Sequence, residues 1–172
     1  YTLGSDAVLW SEYSPVIYTL TACVNHSDEK TTTTFGLRSF STNETEFLIN
    51  GRPTFLRGKH DGLIFPLTGA VPATVEEWIR VMKISRSYGI NHYRFHTCCP
   101  PDAAFVAADL LGIYMEPQLP FWGTMTASGD EGHNEEEQNY LIQEGYRMMD
   151  TFGNHASYCM MSLGNELWGS KE

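Results

Sequence analysis

From residue 46 onward, helix-length periodic segments alternate with short apolar runs, and this alternation restricts the chain more than any other feature. Strand, helix and strand in succession is the pattern of a parallel sheet wrapped by helices, because parallel neighbours need a crossover connection. Thr74 followed three residues later by Glu77 forms a capping box. Val75, Trp78, Ile79 and Met82 then share one face, Lys83 and Arg86 suit the last turn, and Gly89 ends the segment. A second, Ala-rich helix follows Pro100-Pro101, with Asp102 in its first turn, Ala104, Phe105, Ala108 and Leu111 on a stripe, and Gly112 at its end. A third begins near Asn134, has Glu137 in the box position and Leu141, Met148 and Phe152 at helical spacing, and stops at Gly153. Residues 54–59, 90–95, 113–115 and 158–163 read as the intervening strands, the last an apolar run broken only by Ser162, as in a strand covered on both faces.

One βα unit per roughly 30–40 residues is the tempo of a (β/α)8 barrel, which takes roughly 250 residues, so half a barrel is expected here. A doubly wound open sheet competes with it, but no turn carries GxGxxG or GxxxxGK. Residues 1–45 have another texture. Short strands at 8–10 and 16–21 flank Pro15, a polar turn spans 25–30, and a Thr-rich run leads into Phe35, as in a β-sandwich. The expected fold class is therefore α/β, with sandwich strands over 1–45 and four barrel units over 46–172.

Charge excludes two classes of partner. Eleven Lys and Arg against 21 Asp and Glu give a net charge of −10, which repels both a phosphate backbone and an anionic membrane surface. No apolar run reaches the roughly 18 residues of a membrane span, and no basic n-region with a following apolar h-region stands at the start, so any export signal is expected to have been removed or to lie outside this piece. Neither nucleic acid nor membrane is an expected partner. Cysteines 23, 98, 99 and 159 lack the spacing of a disulfide framework or a zinc site and read as buried thiols. The first residue is Tyr1 rather than Met, and Ser170-Lys171-Glu172 follow directly on the most chemically loaded stretch, so the sequence reads as an excerpt. Its compartment is left open, periplasmic or secreted being favoured.

In such barrels chemistry sits at the C-terminal ends of the strands. The residues expected there are His60 and Asp61 after the first strand, Arg94 and His96 at the second, Glu116 and then Trp122 after the third, and Asn165, Glu166 and Trp168 after the fourth. Carboxylates, imidazoles, a guanidinium and indoles are what a sugar pocket needs, since hydroxyls take hydrogen bonds and C–H faces stack on aromatic rings. Glu166, in Ser162-Leu163-Gly164-Asn165-Glu166, stands where partial burial raises a carboxyl toward neutrality, and such a group can protonate a glycosidic oxygen and later deprotonate water. From position alone it reads equally as a solvated loop acid. His60, His96, Trp122 and Trp168 likewise read as pocket or packing residues, and Asp61 and Glu116 as pocket or structural residues, the structural role being favoured for Glu116.

Several segments resemble one family in order along nearly the whole chain. They are Phe35-Gly36-Leu37-Arg38, Phe47-Leu48-Ile49-Asn50-Gly51-Arg52-Pro53, Leu56-Arg57-Gly58, Tyr88-Gly89-Ile90-Asn91 running to Arg94, Ala108-Asp109-Leu110-Leu111-Gly112-Ile113, and Asn154-His155-Ala156-Ser157 ending in Leu163-Gly164-Asn165-Glu166. Together they are similar to glycoside hydrolase family 2, the family of β-galactosidase, β-glucuronidase and β-mannosidase. Trp10-Ser11, Pro15 and residues 18–20 resemble the closing strands of its immunoglobulin-like sandwich domain. The resemblance implies a retaining β-glycosidase acting on a carbohydrate, with Glu166 as general acid/base and Asn165 as partner of the sugar 2-hydroxyl. Its nucleophile would be a Glu on a seventh strand outside this sequence, so little turnover is expected from the fragment alone. A non-catalytic carbohydrate-binding or scaffold module is the alternative.

Departures from the family pattern bear on substrate and metal. His60 in Arg57-Gly58-Lys59-His60-Asp61 takes the place of a usual Asn, and His96 in Arg94-Phe95-His96-Thr97 is displaced by one position. Gln118 stands where an acid often follows the third strand, so no metal and no cofactor are expected. Exposed edges of a half barrel imply self-association.

Overall fold

The computed structural model describes residues 2–25 and 28–169. The turn expected at 25–30 lies partly, and residues 170–172 wholly, outside the described residues. The amino-terminal part holds β1 (Tyr18–Cys23) and β2 (Lys30–Phe35), paired antiparallel, then β3 (Phe40–Asn43), β4 (Glu46–Ile49) and β5 (Arg52–Thr54), a three-stranded meander. The meander runs through residue 45, where the sequence texture changes. Residues 8–10, expected as a strand, are not one. Trp10 donates its amide to Leu37 O at 2.7 Å but makes no ladder, and its indole is fully buried instead.

The parallel part consists of β6 (Gly58–Asp61), α1 (Val75–Ser87), β7 (His92–Phe95), α2 (Asp102–Leu111) and β8 (Tyr114–Glu116), with the sheet in the order β6-β7-β8. The caps read from sequence are present. Thr74 Oγ1 accepts the Glu77 amide, and Gly112 closes α2 in the left-handed region at φ 68°, where a Cβ would come within 2.7 Å of Glu12 Cα. The first parallel strand begins at 58 rather than 54, because residues 52–54 pair with β4 as β5.

The expected fourth strand at 158–163 forms only two parallel bridges, Met115 to Tyr158 and Gln118 to Ser162. Met115 donates to Ser157 O and Cys159 donates back to Met115 O, so the next rung would need an N–H from residue 117. That residue is Pro117, which has none, and the ladder breaks there. Two strands were not foreseen at their positions. β9 (Trp122–Met125) precedes α3 (Glu135–Phe152) and pairs in parallel with β10 (Asn165–Gly169), with a register shift between Asn165 and Trp168. The result is a mixed α/β chain of small sheets, with no closed barrel among the described residues.

Two cores hold it together. Trp78 and Met82 of α1, Tyr93 and Phe95 of β7, and Ala104, Phe105 and Ala108 of α2 pack with Ile113 and Met115 on one side of the parallel sheet. At the opposite end of the strands, Trp10, Ile49, Tyr114 and Ala156 join the amino-terminal segment to the sheet. A fully buried indole contributes on the order of 4 kcal/mol at about 25 cal/mol per Å², and Trp10 adds a 2.8 Å hydrogen bond from Nε1 to Asp109 O.

Polar ties reinforce this floor, and they account for most of the signature segments. Buried Glu12 accepts from Arg57 Nη2 at 3.0 Å and Asn91 Nδ2 at 3.1 Å, while Asn91 Oδ1 accepts the Arg57 amide. Arg38 donates to the Ala156 and Tyr158 carbonyls. Asp109 accepts the Ser157 amide at 2.8 Å and holds His155 Nδ1 at 2.7 Å. All four cysteines are free. Burial pushes the thiols of Cys98, Cys99 and Cys159 up to about 11, 12 and 12. Cys23, expected to be buried, is exposed at the end of a ribbon that shows both faces to solvent.

Candidate active site

Alternation along the parallel strands sorts the predicted residues into two faces. Lys59, Asp61, Tyr93 and Phe95 lie on the face covered by α1: Lys59 Nζ sits 4.7 Å from the Tyr93 ring centroid, and Trp78 meets Phe95 edge-on. Asp61 is buried there, accepting from Lys59 Nζ at 2.9 Å and from the Leu63 amide at 2.8 Å. Its side chain is engaged by β6 and the turn after it and faces away from the other predicted side chains, although its backbone carbonyl accepts the His96 amide at 2.8 Å.

The other face carries His60, His92, Arg94 and Glu116. Gly58 leaves room for the His92 ring, since a Cβ there would fall 2.8 Å from Nδ1. His92 Nε2 in turn lies 3.0 Å from Glu116 Oε2, out of line for a hydrogen bond. Glu116 is thus the neighbour of a buried imidazole.

At the carboxyl ends of the strands the remaining candidates, Trp168 excepted, form one continuous row. The His60 and His96 rings are 4.9 Å apart, His96 meets Trp122 nearly perpendicular at 5.0 Å, and Trp122 Nε1 donates to Glu166 Oε2 at 2.9 Å. Beside them Arg94 Nη2 donates to Asn165 Oδ1 at 3.1 Å, and the Asn165 amide bonds Phe121 O at 2.9 Å. Asn165 is buried, whereas Glu166 is exposed, contrary to the partial burial expected of it. It lies within β10, whose pairing partner β9 covers only one edge. Trp168, at the far end of β10, is 65% exposed and stands apart from the row.

Backbone strain gathers at the same ends. Leu63, Thr97 and Glu166 all have positive φ, at 55°, 54° and 47°. For a β-branched Thr and a Glu this costs on the order of 1 kcal/mol or more each, and such residues concentrate at functional sites.

The group that holds these segments is Gln118, which the sequence marked only as a missing acid. Its side chain is fully buried; Oε1 accepts the Thr97 amide at 2.7 Å, and Nε2 donates to Ser162 Oγ at 2.6 Å and Gly164 O at 2.8 Å. A neutral carboxamide does this because it is both acceptor and donor. Among the described residues no group of three or more His, Cys, Asp or Glu is arranged to hold a metal ion. An apolar hollow of about 370 Å³ opens between α3 and the segments leading into β9 and β10, lined by Leu119, Leu141, Tyr146 and Met149 among others, but no member of the row lines it.

No family model matches the chain. A β-galactosidase of Priestia megaterium is 25% identical over 174 residues, covering 94% of this chain and 17% of its own length. The apo structure of Bacteroides uniformis β-glucuronidase 3 superposes with a TM-score of 0.74 at 26% identity, over 91% of this chain and 20% of that one. A glycosyl hydrolase family 2 member from Bacteroides cellulosilyticus DSM 14838 gives a TM-score of 0.71 at 25% identity, over 92% and 21%. The chain is similar to glycoside hydrolase family 2. It spans about a fifth of the length of these relatives. No helix of the described residues is long and apolar enough to cross a membrane.

Proposed function

We propose that this chain forms part of a retaining β-glycosidase of the family 2 kind, in which Glu166 is the general acid/base. The observation that carries the reading is the clamped Asn165-Glu166 pair: Asn165 held by Arg94, and Glu166 held by Trp122 at a strained backbone position. In this reading β6, β7, β8 and residues 158–163 are the first four staves of a barrel, and β1 and β2 belong to a preceding sandwich. The nucleophilic carboxylate lies outside the 172 residues. In the first step it attacks the anomeric carbon while Glu166 gives its proton to the departing glycosidic oxygen. In the second, Glu166 takes a proton from water as that water's oxygen displaces the carboxylate.

Asn165 presents a neutral amide to the sugar 2-hydroxyl, and His60, His96 and Arg94 face the other hydroxyls. Trp168 offers an exposed apolar ring. β6 is an edge strand, and its unpaired side is where copies of this chain would associate. The test is Glu166→Gln in the longer polypeptide that contains the chain. Hydrolysis of aryl glycosides should fall by about 10²–10⁴, with partial recovery on good leaving groups. An unchanged rate would show that Glu166 is not the acid/base.

A further inference from the structure

We infer that Trp122 is a positioning residue for Glu166, not a stacking platform for sugar; this rests on the acid/base reading above. Backbone pairing brings the two side chains together. Asn165 is the register partner of Trp122, and its amide bonds the carbonyl of Phe121, so Glu166 follows immediately beside the indole. Glu166 is exposed and sits at φ 47°, with a flexible side chain that nothing else described constrains. The indole N–H supplies the constraint at 2.9 Å from Oε2, and it leaves Oε1 to carry the proton that goes to the glycosidic oxygen. Once that proton has left, the same N–H donates to a carboxylate, a stronger bond than to the neutral acid. The contact therefore tightens as the leaving-group C–O bond breaks, which places its effect in the transition state.

The indole is itself fixed from the other side. His96 packs against it nearly perpendicular, and His60 packs against His96, so the ring is braced through β7 back to β6. The row transmits position from the rigid parallel sheet to a carboxylate on a two-stranded one.

Two measurements test this. In the 172-residue chain, the indole N–H resonance of Trp122, identified by its loss in Trp122→Phe, should move in Glu166→Ala. Those of Trp10 and Trp78, which donate to the Asp109 and Pro72 carbonyls, should stay in place. A stationary Trp122 resonance overturns the contact. In the longer polypeptide, Trp122→Phe keeps an aromatic ring but loses the donor. It should lower kcat roughly tenfold on poor leaving groups, much less on dinitrophenyl glycosides, with KM within about twofold. A raised KM with unchanged kcat means a platform and overturns the proposal, as does an equal loss on all leaving groups or no loss. If Glu166→Gln also hydrolyses at the native rate, the acid/base reading fails and the positioning role falls with it. If Glu166→Gln is slow and Trp122→Phe is not, only the positioning role fails.

Discussion

Gln118 shows how one uncharged side chain can organise a site that acids and imidazoles line. Its three hydrogen bonds join the loop after β7, the segment after β8 and the approach to β10, so the strained Thr97 and Glu166 backbones both depend on it. Gln118→Met preserves length but strands the Thr97 amide and leaves the Gly164 carbonyl only the longer 3.2 Å bond from Ser162 Oγ, and should cost about 1–3 kcal/mol, read as a lower urea midpoint. Gln118→Glu should be no better, since a carboxylate there would lose the donor facing the Gly164 carbonyl. A variant as stable as the native chain would show that the segments hold their shape without the carboxamide.

At the scale of elements, α2 is tied to residues 153–157 through His155, which lies between Asp109 and Asp102, at 2.7 and 3.2 Å. Burial acts to lower its pKa, but the hydrogen bonds and charges of the two carboxylates outweigh burial and raise it above the ordinary 6.5. The stabilisation from protonated His155 is therefore complete below the ordinary value and disappears as pH rises through the raised one. Urea midpoints of the native chain and His155→Gln should differ most at mildly acidic pH and converge on the alkaline side. A gap independent of pH would mean that the ring acts by packing alone.

Elements were also the scale at which the sequence was most legible. Helices α1, α2 and α3 begin at their read caps because Thr74, Asn134 and the Pro100-Pro101 pair act locally. The strand at 158–163 was misread because its fate depends on Pro117, about 40 residues away, which lacks the N–H for the third rung. Periodicity within the run could not show that. For the site, six of the eight predicted residues proved contiguous because strand ends converge in this topology. Asp61 is expected beyond a strand ending at 59, but β6 runs to 61, so alternation turns its side chain to the face of Phe95 and α1. Gln118 was undervalued because its worth lies in three partners scattered along the sequence.

The molecule as a whole is stitched together at the base of its parallel sheet. Trp10, Glu12 and Arg38 come from the segment with sandwich texture, yet their partners are Asp109, Arg57, Asn91 and Ala156. A chain beginning at residue 46 would lose the β3 partner of β4 and expose Tyr114 and Ile49. It should unfold at a markedly lower temperature than the 172-residue chain or fail to fold, and equal melting temperatures would refute this. The Trp10 indole is thus a keystone in the floor. Amides in the meander and in β7 should surrender their protection to deuterium together, in one cooperative opening, so a protease would meet either an intact chain or an unravelled one.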